Sequence, residues 1–260
     1  MFIGNRSFEN YTYIMAIINL TPDSFWAESR KDADDVLFAV ERAQKEGAAV
    51  IDIGAQSTRP GYSEIGAKEE IARLEKPIAA IKSRFDIPIS VDTYFAESAR
   101  AALELGADMI NDIWGLSRDT DMAKTVAEFD ASVCIMHNSK TSLSGDIWGA
   151  IENFLAKNAQ KALDSGIDNK RIILDGGIGF AKTKEQNFEL LNGYERLERL
   201  GFPLLLGASR KSMFGGDVKD RLTPTLESTR IAAKKGVLFV RVHDVKENAE
   251  IIRKTYENMR

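Results

Sequence analysis

Residues 87–112 read IPISVDTYFAESARAALELGADMIND, and this stretch decides the fold. An apolar, β-branched run, Ile87–Asp92, ends on a carboxylate. Ala99, Ala102 and Leu103 then share one side of a helix over about 96–105, Gly106 stops it, and a second apolar run begins at Met109. Strands hydrophobic along their whole length are buried on both faces, and a helix between two of them predicts parallel pairing through a right-handed crossover. The same unit recurs on either side. Further runs lie at Ile14–Asn19, Val50–Gly54, Val133–His137, Ile172–Asp175, Leu204–Gly207 and Phe239–His243, and Gly47, Gly166 and Gly201 close other helical stretches. Eight strand and helix units predict an α/β fold, a (β/α)8 TIM barrel formed as a single domain over 1–260. A doubly wound open sheet is the competing architecture.

Composition narrows the partners. The chain has 260 residues, with 35 Lys+Arg against 39 Asp+Glu, so a net charge of −4 and no basic run argue against nucleic acid. No apolar run is long enough for a membrane span. The opening MFIGNRSFENYTYIMAIINL breaks its apolar residues with Asn5, Arg6, Glu9 and Asn10, unlike a secretory signal, so a cytoplasmic location is expected. Cys134 is the only cysteine, which excludes an intrachain disulfide and a thiolate zinc cluster; any metal is expected to be a hard cation on oxygen ligands.

In a barrel of this kind the functional face is where the strands' carboxyl ends meet. Asn19, Gln56 to Gly61, Asp92, Asn111, His137, Asp175, the segment Ser209-Arg210-Lys211-Ser212 and the segment Arg241 to Asp244 all fall there. No nucleophile triad is visible. Arg59, Lys211, Arg241 and His243 can hold phosphate, and Asp92 and Asp175 can accept N–H groups of a flat heterocycle. Ser209 to Ser212 is expected to open a helix whose N-terminus favours an anion. Plainer roles stay open: Asp92 and Asp175 as caps or ion-pair partners of Lys211 and Arg241, and His243 as a packed rim residue. Glu69 and Glu70 with Arg73 read as a solvated helix face carrying a local ion pair.

The segments IINLTPDSF, VIDIGAQSTRPG, ISVDTYFAESARAALELGADMINDIWG, LDGGIGFAKTKEQN, LLLGASRKSMFG and VRVHDV, in this order from Met15 to Lys246, resemble the dihydropteroate synthase family, the sulfonamide targets of folate biosynthesis. The resemblance implies condensation of 6-hydroxymethyl-7,8-dihydropterin pyrophosphate with p-aminobenzoate, with Mg²⁺, in a homodimer. It implies a catalytic set of Asp23, Arg59, Asp92 and Lys211. Asp92, Asn111, Asp175 and Lys211 would bind the pterin, while Arg241, His243 and Asn19 would hold pyrophosphate, Asn19 also offering its oxygen to Mg²⁺. Phe25, Thr58, Arg59 and Pro60 belong to closing loops; Phe180 and Pro60 would sandwich the benzoate ring, and Ser212 would take its carboxylate.

Several positions depart from the family pattern. TPDSFWAES places Ala27 where a second aspartate, assigned to stabilising the pterin cation, is usual, with Glu28 one position on. Gln56 replaces an acid, Gly176 a proline and Ala181 a glycine. A pterin-dependent methyltransferase barrel and a paralogue that binds pterin without turnover are the alternative functions. Ala27→Asp is expected to raise turnover by restoring charge near the cation; an unchanged or lower steady-state rate would mean that Glu28 or another group already serves.

Overall fold

The computed structural model describes residues 1–20, 31–56 and 64–259. A small antiparallel hairpin, β1 (Phe2–Ile3) and β2 (Arg6–Ser7), precedes the barrel. The barrel strands are β3 (Tyr13–Asn19), β4 (Ala48–Gly54), β5 (Ile89–Asp92), β6 (Met109–Asp112), β7 (Ser132–Met136), β8 (Ile172–Asp175), β9 (Leu204–Leu206) and β10 (Phe239–Val242). They pair in parallel in chain order and close where β10 meets β3. Helices α1 (Lys31–Glu46), α2 (Ala67–Arg84), α3 (Ala96–Glu104), α4 (Met122–Glu128), α5 (Ile147–Asp164), α6 (Lys184–Asn192), α7 (Leu222–Lys234) and α8 (Val245–Glu257) follow the strands in turn. All eight expected strands form, and the open sheet is excluded by closure. The expected helix stops Gly47, Gly106, Gly166 and Gly201 all have positive φ, the conformation that favours glycine.

Alternation along each strand sorts its side chains into two environments. Ile14, Ile51, Ile53, Ile89, Val91, Val133, Ile135, Leu174 and Val240 pack outward against the helices in one large core. The intervening positions Met15, Val50, Met109, Cys134, Ile173, Leu205 and Phe239 form a second apolar cluster inside the barrel. Cys134 is therefore a buried packing residue, and its thiol is pushed up by burial. One step further along the same strands the inward positions turn polar: Asp52, Ser90, Asp92, Asn111, Asp175 and Arg241. The lumen is apolar at its floor and charged at its mouth.

The hairpin seals that floor. Ile3 and Phe8 join the interior cluster, and the Phe8 ring meets Phe239 and Tyr13 edge-on, each at 5.0 Å between centroids. Ser132 Oγ donates to the Phe2 carbonyl at 2.6 Å, and the Arg171 guanidinium to that of Gly4 at 3.2 Å. Phe8→Ala is expected to lower unfolding free energy in urea by about 3–5 kcal/mol. At low temperature the folded variant should keep its substrate KM values, because the mouth lies at the opposite end.

Candidate active site

The mouth is organised by Arg241, from β10. Its Nε donates to Asp52 Oδ2 at 2.6 Å and a terminal nitrogen donates to Asp92 Oδ2 at 2.7 Å. Asp52 is fully buried, and its other oxygen accepts from Ser90 Oγ at 2.6 Å, so it is satisfied. Asp92 is not: its Oδ1 is buried with no hydrogen-bond partner among the described residues. Burial, outweighing the pull of Arg241, pushes the Asp92 carboxyl up to about 7. Burial works against the Arg241 charge, but Asp52 and Asp92 overcome it and hold the guanidinium above its ordinary value.

Across the mouth, Asp175 ends β8. Its Oδ1 accepts from the Gly177 N–H at 2.7 Å and lies 3.0 Å from Tyr194 Oη. Burial raises its pKa against the opposing pull of Lys211. Lys211 donates to the Ile178 carbonyl, and its Nζ stands 4.4 Å from the Phe180 ring centroid, a cation–π contact. Burial brings the amine down to about 8, with Asp175 and Asp92 favouring its charge and Arg241 opposing it. The turn after β8 has no spare room. A Cβ on Gly177 (φ +73°) would lie 1.9 Å from the His137 carbonyl oxygen, and one on Gly179 (φ +82°) 2.7 Å from Lys211 Cδ.

Lys182 ties this turn down from within, donating to the Gly177 and Phe180 carbonyls at 2.9 and 3.1 Å and meeting His137 Nδ1 at 2.9 Å. Burial lowers the Lys182 pKa to about 7 and that of His137 to about 3, so the imidazole is neutral. His137 packs edge-on against Phe154 at 5.0 Å.

Strand register brings the remaining residues to the same rim. Asn19 pairs with Gly54, Gly54 with Asp92 and Asp92 with Asn111. A Cβ on Gly54 would lie 3.9 Å from both Asn19 Oδ1 and Asp92 Oδ2, so glycine keeps the space between them open. His243 Nδ1 is 3.0 Å from Ser209 Oγ. Asn19, Asp92, Asn111, Asp175 and Arg241 thus lie at the carboxyl-end portions of their strands, with Phe180, Lys211 and His243 in the segments that follow β8, β9 and β10. The expected site residues Asp23, Phe25, Thr58, Arg59 and Pro60 lie outside the described residues.

Two expectations are corrected. Ser209 to Ser212 does not open a long helix: Ser212–Phe214 is a single 3-10 turn, and Gly215 and Gly216 at positive φ separate it from α7. Ser212 is exposed. Arg73 does pair with Glu69, at 2.5 Å, but Glu70 is buried and accepts from Thr93 Oγ1 at 2.6 Å, because α2 turns that side onto the barrel. Sequence reasoning missed Asp52, Lys182 and Tyr194. Asp52 alone carried a signal, a charge inside the apolar run VIDIG.

Among the described residues no cluster of His, Cys, Asp or Glu could hold a metal by itself. The Asn19 side-chain oxygen, near Asp92 and Gly54, could offer one neutral ligand. That suits a Mg²⁺ carried chiefly by phosphate oxygens and water. No helix among the described residues is long and apolar enough to cross a membrane.

The profile of the pterin binding enzymes matches residues 15–243. A dihydropteroate synthase of Clostridium beijerinckii is 45% identical, covering 98% of each chain, and one of Streptococcus pyogenes serotype M6 is 43% identical, covering 97% of each. The dihydropteroate synthase of Clostridium difficile, solved in the presence of pteroic acid, superposes with a TM-score of 0.94 at 41% identity, covering 98% of this chain and 99% of that one. The Xanthomonas albilineans dihydropteroate synthase with 4-aminobenzoic acid gives 0.90 at 32% identity, covering 96% and 94%.

Ala181, where the family pattern has glycine, sits at φ +49°. A side chain there costs about 1–2 kcal/mol, partly offset by the extra chain entropy a glycine loses on folding. Ala181→Gly is expected to stabilise the protein by up to about 1 kcal/mol, read by thermal or urea unfolding.

Proposed function

The chain belongs to the family of dihydropteroate synthases, and we infer that its barrel mouth joins 6-hydroxymethyl-7,8-dihydropterin pyrophosphate to p-aminobenzoate, giving 7,8-dihydropteroate and pyrophosphate. The observation that carries the reading is Asp92 Oδ1, a buried acceptor that none of the described residues satisfies, beside a guanidinium committed to the other oxygen. A buried carboxylate oxygen without a donor is costly, and a heterocycle bearing N–H groups would satisfy it.

In this reading Asp92 and Asp175 accept the N–H groups of the pterin, Asn111 pairs with its amide-like edge, and Lys211 donates to its carbonyl or ring nitrogen. Arg241 and His243 hold the diphosphate with Asn19. The bond between the pterin methylene and the diphosphate oxygen breaks with its electron pair leaving on the diphosphate. The p-aminobenzoate nitrogen then bonds to the methylene and sheds a proton. Positive charge developing on the pterin is stabilised by fixed carboxylates, so positioning and electrostatics suffice without a strong base. Mg²⁺, when bound, would neutralise charge on the departing diphosphate. Phe180 with Pro60 flanks the benzoate ring, Ser212 takes its carboxylate, and Asp23, Phe25, Thr58 and Arg59 close over the centre to exclude water. A cytoplasmic homodimer completes the proposal.

Purified protein given both substrates and Mg²⁺ should release pyrophosphate only when p-aminobenzoate is present. Asp92→Asn and Lys211→Ala should each lower kcat/KM by about 10²–10³-fold with a native far-ultraviolet spectrum; full activity in either would remove that residue from the mechanism.

These shifted groups also set a pH dependence. Asp92 and Asp175, both raised by burial, must be ionised to accept N–H groups, and Lys211 must be protonated to donate as a cation. The kcat/KM for the pterin substrate should therefore rise as pH climbs through about 7 and fall as it passes about 8. For stability the sign is opposite on the acid side. With its folded pKa above the unfolded one, Asp92 stabilises most below about 4, and its contribution is lost as pH rises through about 7. Initial rates and urea unfolding across this range check both signs.

A further inference from the structure

Tyr194 lies outside every strand end, at the start of the 3-10 segment Tyr194–Leu200 that follows α6. Its ring is buried, yet its hydroxyl reaches the base of the site. Tyr194 Oη accepts from the Gly176 N–H at 2.9 Å and stands 3.0 Å from Asp175 Oδ1 and 2.5 Å from the Leu205 carbonyl oxygen. One hydroxyl proton faces two acceptors. Burial pushes the phenol well up, so that proton stays in place at any working pH.

The three contacts join two neighbouring strands, β8 and β9, at the level of the mouth. The Gly176 N–H points to Tyr194 because the turn after β8 has left the ladder. Both bonds to Asp175, from Gly177 and from Tyr194, fall on Oδ1. Oδ2 lies on the other side, 3.4 Å from where a Gly207 Cβ would stand. The carboxyl group is thereby held through Oδ1, while Oδ2 takes no hydrogen bond from the described residues.

We propose that Tyr194 is a positioning residue for the pterin substrate, fixing the Asp175 carboxylate through Oδ1 so that Oδ2 is presented to the pterin N–H. An anchored acceptor loses no rotational freedom when the ligand arrives, so the gain appears in binding. The hydroxyl also tolerates a change of charge on Asp175. Its proton can turn to the carboxylate when Asp175 is ionised and to the Leu205 carbonyl when it is not. The inference rests on the assignment of Asp175 to the pterin, and the experiment below separates the two.

Tyr194→Phe keeps the ring and deletes the hydroxyl. The KM for the pterin pyrophosphate is expected to rise about tenfold or more, as for loss of a hydrogen bond to a charged group, while the KM for p-aminobenzoate stays unchanged and kcat changes less than the pterin KM. The acidic limb of kcat/KM should also move to higher pH, because Asp175 loses a donor to its ionised form. Lys211, Lys182 and Arg241 act on that carboxyl as basic groups, with Lys182 itself titrating at about 7, and Cys134 is a further buried neighbour; all four are retained in the variant.

Asp175→Asn, measured alongside, tests the premise: if it leaves the pterin KM unchanged, Asp175 does not bind pterin, whatever Tyr194→Phe does. If Asp175→Asn raises that KM and Tyr194→Phe does not, the positioning role is overturned. A double variant, Gly176→Pro with Tyr194→Phe, removes the backbone N–H together with its acceptor. A pterin KM that stays high in this protein supports action through Asp175. Return to the wild-type value would show that Tyr194 serves only the turn. The comparison of the two single variants stands even if the double variant fails to fold.

Discussion

A guanidinium between two buried carboxylates governs the mouth of this barrel. Arg241 reaches Asp52 on β4 and Asp92 on β5 from β10, and those strands share one wall only because the sheet has closed. Its two partners differ in what remains to them. Asp52 has its second oxygen filled by Ser90, whereas Asp92 has an oxygen with no donor among the described residues. Burying three charged groups together is unfavourable unless every polar atom is paired. The unmet atom is where the desolvation cost is held until a ligand arrives.

The opposite wall solves a different problem. Asp175 is steadied by hydrogen bonds from a backbone N–H and a tyrosine, and Lys211 is trapped between a carbonyl, an aromatic face and the crowded turn at Gly177 and Gly179. One side thus acts through paired charge and the other through shape. Together they suit a flat, electron-poor ring with an anion at one edge, held in a place where water would compete for the reacting carbon.

The eight strands and their carboxyl-end residues were legible because each of these segments satisfies a local rule: an apolar run, a helical stripe, a glycine stop. The division of each strand between helix-facing and lumen-facing positions was hidden, since both faces are apolar along most of its length and period-two alternation disappears from the pattern. It surfaced only where the lumen turns charged, at Asp52. Glu70 reads as solvated because helical spacing alone cannot tell which side of α2 meets the barrel. Tyr194 and Lys182 carry no signal at all, because their partners lie in other segments and the contacts exist only once β8, β9 and the turn between β8 and α6 are assembled.

The seat of Phe8 against Phe239 has a consequence for synthesis on the ribosome. The first aromatic plug is made at once, but its partner belongs to the last strand, and β3 has no neighbour on that side until the same strand emerges. Until β10 is made, β3 keeps an open edge and the Phe8 ring has Tyr13 but not Phe239 to pack against. Closure of the barrel therefore waits on β10, in whatever order the earlier strands pair.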